Sequence, residues 1–137
     1  MICYAAIDTN VLVSALLSSH DDAATVQVVG KIFSGEVIPL LSREILDEYN
    51  EVLRRKKFRF SEELISGLLG VIEKYGEMIM PSPTGEILLD MKDLPFYEVV
   101  VEKQPDDAYL VTGNIKHFPK KPFIVTANEF LDILMQK

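Results

Sequence analysis

Two short polar side chains follow apolar runs that predict β-strands. Asp8 comes directly after the apolar residues 2–7, and Asn114 follows residues 108–112 with one glycine between them. In an open α/β sheet, ligands bind beyond the carboxyl ends of the strands. Both side chains carry oxygen atoms of the kind that bind hard cations, so they are candidate metal ligands. The alternative is that each one only caps a turn or a helix.

A third candidate lies on a helix predicted to begin after Ser42. At roughly 100° per residue, Ile45 and Val52 belong to the apolar stripe of this helix, and Glu48 lies about 40° beyond Val52. Glu48 is therefore the acidic residue of this helix closest to the buried face. A carboxylate at that edge can reach into a cleft; otherwise it belongs to a solvated helix face.

Two further acidic clusters differ in their expected positions. Asp93 comes just before Leu94 and Pro95, where it either caps a helix or presents a carboxylate near its first turn. The pair Asp106–Asp107 precedes a strand and so lies at its amino end, opposite the candidate site. We interpret that pair as turn residues.

Carboxylates that converge without neighbouring bases are costly unless a cation joins them. Oxygen ligands favour Mg²⁺ or Mn²⁺ over Zn²⁺, and such ions activate water for displacement at phosphorus. The sequence contains no Walker motif, no GxGxxG and no His/Cys metal spacing. A serine triad is poorly supported, because His20 and His117 are the only histidines and no nucleophile elbow is present.

Alternating strands and helices must position these residues. Strands are predicted at residues 2–7, 37–41, 108–112 and 123–125. Helices are predicted at residues 11–17, 23–33, 42–57, 61–75 and 96–102, with a last helix opened by a capping box of Thr126 and Glu129. The alternation predicts an α/β fold around a short parallel sheet. Pro39 is a mild objection to the second strand if that strand is central.

Length and composition predict one globular domain over residues 1–137. Hydrophobic residues make up 48% of the chain and charged residues 26%, which argues against disorder. The single cysteine, Cys3, excludes an internal disulfide and an all-cysteine zinc site. The net charge of −7 has the wrong sign for an indiscriminate nucleic-acid binder. No segment predicts a membrane span or a signal peptide, so the expected location is the cytoplasm.

Five blocks in series resemble PIN domains, and most closely the branch of toxin components of toxin–antitoxin systems (VapC-like). The first block is AIDTNVLVSALL at residues 6–17, and the second is LSREILDEY at 41–49 followed by VLRR at 52–55. The others are DMKD at 90–93, YLVTGN at 109–114 with KHF at 116–118, and VTANEFL at 125–131. The match covers essentially the whole chain in the right order.

The resemblance implies a three-layer PIN fold, with a mainly parallel sheet flanked by helices, and a divalent-metal-dependent ribonuclease. It places the acidic site for Mg²⁺ or Mn²⁺ on Asp8, Glu48 and Asp93. The fourth metal position commonly carries Asp in this family but is Asn114 here, which brings no charge. The resemblance also implies polar groups lining the site at Asn10, Ser14 and Thr112.

Activity and partners also follow from the resemblance. It implies hydrolysis of RNA phosphodiesters to 5′-phosphate and 3′-hydroxyl ends, an antitoxin protein as partner, and pairing as a homodimer. Two alternatives stay open. One is a catalytically weakened PIN-like scaffold, which Asn114 supports; the other is a different metal-dependent phosphotransfer enzyme, which an acidic strand end also fits.

Two basic runs are candidate contacts for RNA despite the acidic net charge. As an RNA track they would add a salt-dependent contribution from phosphate contacts; otherwise they are ordinary solvated surface. The first run is Arg54, Arg55, Lys56, Lys57 and Arg59, and the second is Lys116, His117, Lys120 and Lys121.

Overall fold

A five-stranded parallel sheet forms the centre of the structure, a computed structural model that describes residues 2–137. The strand order is β3-β2-β1-β4-β5, and each neighbouring pair is parallel. The strands are β1 (Cys3–Ile7), β2 (Val37–Leu41), β3 (Glu77–Met78), β4 (Tyr109–Val111) and β5 (Ile124–Val125). The α/β fold predicted from the sequence is confirmed.

Helices cover this sheet on both faces. Within residues 2–137 they are α1 (Thr9–Leu17), α2 (Ala24–Phe33), α3 (Arg43–Leu53), α4 (Glu62–Tyr75), α5 (Leu94–Glu102) and α6 (Ala127–Met135). Helix α2 packs against α1, α4 and α6, whereas α5 packs against α3 and the central strands. Four of the five β1 residues are buried without alternation, as expected for a strand covered on both faces. None of these helices combines the length and the apolar character that crossing a membrane requires.

The predicted bounds of two helices need correction. Helix α1 begins at Thr9, two residues before the predicted start, with Asp8 in the N-cap position. Helix α3 ends at Leu53 rather than near residue 57. Arg54 already has φ −92° and ψ 5°, and a short 3₁₀ turn follows at Lys56–Phe58. The Arg54 side chain donates to the Asn50 carbonyl oxygen at 3.2 Å, which satisfies an acceptor in the last turn of the helix, and pairs with Glu62 of α4.

Pro39 lies in β2, which is a central strand between β1 and β3. It sits opposite Ala5 of β1, and β3 pairs only with Leu40 and Leu41 beyond it. The objection raised by Pro39 is therefore met, because β3 makes no pairing at the position where the proline lacks a donor.

Gly76 ends α4 where the chain passes closest to β2. A Cβ atom at this position would lie 2.5 Å from the Ile72 carbonyl oxygen and 2.6 Å from Leu41 Cδ1. We therefore expect Gly76→Ala to lower the free energy of unfolding by about 2 kcal/mol, measured by chemical denaturation. Gly70→Ala is the matched control: it lies on the exposed face of α4 with open space around it, and should stabilise by up to about 1 kcal/mol. Equal effects of the two substitutions would contradict the close approach.

Candidate metal and nucleic-acid site

One cleft contains all three carboxylates singled out in the sequence. Asp8, at the carboxyl end of β1, Glu48 of α3 and Asp93, just before α5, all line it. The cleft encloses about 310 Å³. Its other lining residues are Thr9, Asn10, Val13, Val52, Arg55, Phe58, Asp90 and Lys92. The structure thus brings together side chains from three distant parts of the chain.

Asp8 is the most deeply placed of the three carboxylates. Its backbone N–H donates to the Val111 carbonyl (2.9 Å), which fixes the end of β1 against β4. The Thr112 hydroxyl donates to Asp8 Oδ2 at 2.7 Å. Asp8 stands in the N-cap position of α1, and its side chain lines the cleft. Burial raises the pKa of Asp8, and the Thr112 hydrogen bond partly opposes that rise.

Glu48 faces the cleft from α3, as the helical spacing predicted. The side chain is half-buried, and the Thr9 hydroxyl donates to its Oε2 at 2.5 Å. Burial raises the pKa of Glu48, and the nearby charge of Asp8 raises it further. Thr9 is the first residue of α1 and directly follows Asp8, so one short segment positions both carboxylates.

Asp93 completes the acidic wall of the cleft. It occupies the N-cap position of α5, but its side chain makes no capping hydrogen bond and lines the cleft instead. Burial raises the pKa of Asp93 to about 6, with further contributions from the charges of Asp8 and Asp90. His117 Nδ1 lies 3.5 Å from Asp93 Oδ2. Burial and the neighbouring carboxylates therefore disfavour the charged form of Asp93, and His117 partly offsets that effect.

A buried tyrosine fixes the distance between β1 and α3. The Tyr49 hydroxyl donates to the Ile7 carbonyl oxygen at 2.5 Å, and the side chain is almost fully buried. Burial raises the pKa of Tyr49 well above its usual value. Ile7 precedes Asp8 and Tyr49 follows Glu48 in the sequence, so this hydrogen bond fixes the backbone positions of the two carboxylates relative to each other.

We expect Tyr49→Phe to lower the free energy of unfolding by about 1–2 kcal/mol, because a buried carbonyl loses its side-chain donor. Tyr75→Phe is the matched control, since Tyr75 is 45% exposed at the end of α4, and should change stability by less than about 0.5 kcal/mol. Urea denaturation of both variants measures the difference. Equal stability of the two variants would show that the Tyr49 hydroxyl does not brace β1 against α3.

Comparison with protein families connects this geometry to a known group. A family model described as a PIN domain matches residues 4–116. The chain belongs to the PIN domain family. A search of curated proteins and a search of solved structures gave no match to this chain. PIN domains are generally nucleases that act on nucleic acids and use divalent metals.

The carboxylate oxygen atoms in the cleft of this PIN domain are chemically suited to bind a hard divalent cation. Three carboxylates share the cleft, and the pKa of each is raised by burial. Oxygen donors of this kind suit Mg²⁺ or Mn²⁺. As they stand, however, no three His, Cys, Asp or Glu side chains among residues 2–137 form a group that could hold an ion. The carboxylates share a cleft without forming a preassembled ligand group.

The polar residues expected around the site have different positions in this PIN domain. Asn10 lines the cleft, and its Oδ1 accepts the Gly113 N–H at 3.4 Å. Thr112 contacts Asp8 directly, as described above. The Ser14 hydroxyl instead lies 3.4 Å from the Thr25 hydroxyl. Asn10 and Thr112 therefore adjoin the carboxylates, whereas Ser14 contacts the neighbouring helix.

Asn114, the predicted fourth metal position, is exposed at the end of β4. Its backbone N–H donates to the Thr112 hydroxyl at 3.0 Å, and that hydroxyl in turn donates to Asp8. The residues that line the cleft, within the part of the chain described, do not include Asn114. Its backbone thus supports Asp8 through Thr112, and ligation by its side chain stays a prediction.

The first basic run is partly neutralised by ion pairs. Arg55 lines the cleft and forms two hydrogen bonds to Glu51, each 3.0 Å long. Arg54 is paired with Glu62, with an N–O distance of 2.6 Å. Lys56, Lys57 and Arg59 are exposed and have no ion pair within residues 2–137. In the second run, Lys116 and His117 line a depression next to the acidic cleft.

The cleft residues that the sequence did not single out as site residues include Thr9, Lys92 and Phe58. Thr9 orients Glu48, Lys92 supplies a cation between two acidic residues, and Phe58 supplies an aromatic ring. Lys92 carried a signal, since it lies within the acidic block DMKD. Nothing in the sequence indicated the other two, because their roles depend on how the turns after β1 and α3 bend.

Proposed function

We propose that this PIN domain is a metal-dependent endoribonuclease that hydrolyses RNA phosphodiesters. The observation that carries the proposal is the meeting of Asp8, Glu48 and Asp93 in one cleft at the carboxyl end of the sheet. These carboxylates come from parts of the chain that are distant in the sequence, and burial disfavours their charge. A site arranged in this way is most stable with a cation bound.

Asp8, Glu48 and Asp93 would hold one Mg²⁺ or Mn²⁺ ion. When bound, the ion supplies a more acidic water as nucleophile and positive charge against the developing charge on phosphate. We propose one ion rather than two, because Asn114 brings no charge to the fourth position. The Thr112 hydroxyl donates to the Asp8 carboxylate and the Thr9 hydroxyl donates to the Glu48 carboxylate, so these two threonines would orient the ligands.

The reaction we propose is a hydrolysis without a side-chain nucleophile. The water oxygen bonds to phosphorus while the bond from phosphorus to the 3′ oxygen breaks, and the leaving 3′ oxygen takes up a proton. The products carry a 5′-phosphate and a 3′-hydroxyl. Lys92 lines the cleft and would supply positive charge to the phosphate backbone, together with Arg55, which shares its charge with Glu51. Water is the second substrate, so the reaction needs no further reactant.

A metal-titrated nuclease assay tests this proposal. The purified chain is treated with EDTA and titrated with Mg²⁺ or Mn²⁺ in the presence of mixed RNA, single-stranded DNA and a phosphate monoester. RNA cleavage that depends on metal and leaves 5′-phosphate ends supports the ribonuclease. Hydrolysis of the monoester alone identifies a different phosphotransfer enzyme. Nucleic-acid binding without cleavage at any metal concentration identifies a weakened scaffold.

We also propose that the domain acts in the cytoplasm as the toxin of a toxin–antitoxin pair, and that it pairs as a homodimer. Support for an antitoxin contact comes from an apolar groove between α1, α2 and α4, which includes Leu16, Phe33, Leu64 and Gly67 with one carboxylate, Glu63. Phe33 is 53% exposed and Leu64 43% exposed. We assign this groove to an apolar segment of the antitoxin. Coexpression with the product of an adjacent gene tests the assignment, and Leu64→Glu should abolish copurification.

A further inference from the structure

A stacked pair of phenylalanines, Phe58 and Phe60, lies at the edge of the acidic cleft. Phe58 ends the 3₁₀ turn after α3 and lines the cleft together with Asp8, Glu48 and Asp93. Its ring stacks on Phe60, with centroids 5.5 Å apart and an angle of 14° between the planes. Phe60 packs against the hydrophobic core, whereas the core contacts within residues 2–137 do not extend to Phe58. Core packing therefore does not account for a half-buried ring at this position.

The backbone holds this ring in a defined orientation. Arg59 lies between the two aromatic residues and has φ +58° and ψ 30°. This is a left-handed backbone conformation that residues other than glycine rarely adopt. The Arg59 N–H donates to the Lys56 carbonyl at 3.2 Å, which closes the turn. This conformation places the side chains of Phe58 and Phe60 on the same side of the chain, so that one ring supports the other.

A cation lies near the same ring. Lys57 Nζ is 5.1 Å from the centroid of Phe58, and the lysine side chain is exposed. An exposed lysine is readily displaced from a ring, because its ammonium group remains hydrated in either position. A ligand that is aromatic and also carries phosphate would take its place on the ring and pair with the released ammonium. Nucleotides have both properties, since each base has a π-face and each linkage has a charge.

We propose that Phe58 is a stacking platform for a base of the RNA beside the phosphate to be cleaved. This inference rests on the proposed ribonuclease function and assigns a substrate-binding residue to it. A base in a duplex stacks on its neighbours and offers no free face to Phe58. Phe58 and the three carboxylates line the same cleft, so a base stacked on Phe58 would bring its own phosphate close to the acidic site.

The test is RNA binding measured on chains that carry Asp8→Asn, so that the oligonucleotide remains intact. Probes are a short oligoadenylate, an abasic ribose-phosphate oligomer of the same length and charge, and a duplex RNA. We expect Phe58→Ala to weaken oligoadenylate binding by about 5- to 150-fold, as for the loss of one stacked base. Phe58→Trp should retain binding within about twofold, because tryptophan offers a larger π-face. Binding of the abasic oligomer and the duplex should not distinguish Phe58→Ala from the parent chain.

The matched control is Tyr75→Ala, because Lys74 Nζ lies 5.4 Å from the Tyr75 centroid in a similar arrangement outside the cleft. It should leave oligoadenylate binding unchanged. Equal weakening of all three probes by Phe58→Ala, or no weakening of any, would overturn the proposal. Near-ultraviolet and far-ultraviolet circular dichroism of each variant test whether the fold is kept. Phe58→Leu keeps an apolar side chain without a ring, so its oligoadenylate binding should be weakened as in Phe58→Ala if stacking, and not apolar packing, holds the base. Because no cleavage is needed, failure of this test and failure of the nuclease proposal give different results.

Discussion

Asp8→Asn should reduce metal-dependent RNA cleavage by about 10³-fold or more, which corresponds to about 4 kcal/mol of lost transition-state stabilisation. Asp8 is the most buried of the three carboxylates and is held by Thr112 at the carboxyl end of β1. Asparagine keeps the size of the side chain and an oxygen that can accept from Thr112, but it removes the charge that a divalent cation requires. Cleavage rates under saturating metal measure the effect.

The fold of this variant should be intact, because removal of a buried charge does not create a cavity. We expect a free energy of unfolding equal to or above that of the parent chain in the absence of metal. Asp47→Asn is the matched control, since Asp47 lies next to Glu48 on α3 but is exposed to solvent. Its cleavage rate should stay within about twofold of the parent rate. A fully active Asp8→Asn chain would show that the cleft is not the catalytic site.

Asp93→Asn should stabilise the metal-free protein while it removes activity. The pKa of Asp93 is raised from 3.8 to about 6 in the folded state. A difference of this size corresponds to at most about 3 kcal/mol, and partial solvation of the side chain reduces the expected gain to about 1 kcal/mol. Urea denaturation at about pH 8 in EDTA measures this gain, because the carboxylate is then ionised in both states.

The sign of the pH dependence follows from the same shift. Between about pH 4 and pH 6 the folded chain binds a proton at Asp93 that the unfolded chain has lost, so the contribution of Asp93 to stability falls as the pH rises through about 6. Below about pH 4 the Asp93 carboxyl is largely neutral in both the folded and the unfolded chain, and Asp93→Asn should then match the parent chain closely. The stabilisation by asparagine should grow between about pH 4 and pH 6, where only the unfolded chain loses the proton, and reach its full size above about pH 6.

Metal should reverse this order of stabilities. Added Mg²⁺ raises the midpoint of thermal unfolding of the parent chain, since an ion that binds only the folded state stabilises it. Asp93→Asn should lose most of that increase. Asp132→Asn, an exposed aspartate on α6, is the control and should follow the parent chain under all conditions. A variant at Asp93 that is less stable than the parent at about pH 8 in EDTA would contradict the electrostatic account of the cleft.

The two carboxylates nearest to regular structure were predictable from local patterns. Asp8 directly follows an unbroken apolar run, and strand ends of this type meet at one edge of a parallel sheet. Glu48 lies at the edge of an apolar stripe of period 3.6, which α3 confirms. Asp93 was different, because its position before a proline fits a helix cap equally well. Only the resemblance to PIN domains selected the role that the cleft geometry supports.

The remaining features depend on tertiary geometry that a linear pattern does not contain. The Thr9 hydroxyl contacts Glu48, 39 positions away, and the Thr112 hydroxyl contacts Asp8, 104 positions away. The position of Phe58 depends on the end of α3 at Leu53 and on the left-handed backbone of Arg59, whereas the predicted helix continued to about residue 57. The sequence therefore predicted the site residues whose side-chain direction is set by a strand or a helix. It did not predict those whose direction is set by a turn.

A crystal structure of this chain with Mn²⁺, in which anomalous scattering locates the ion, tests the central claim most directly. We predict one strong anomalous peak in the cleft, with oxygen atoms of Asp8, Glu48 and Asp93 as ligands, directly or through one water, and no such peak in crystals of Asp8→Asn. A peak elsewhere on the surface, or a cleft that stays empty at saturating Mn²⁺ while its carboxylates remain apart, would contradict the claim that these three residues form one metal site.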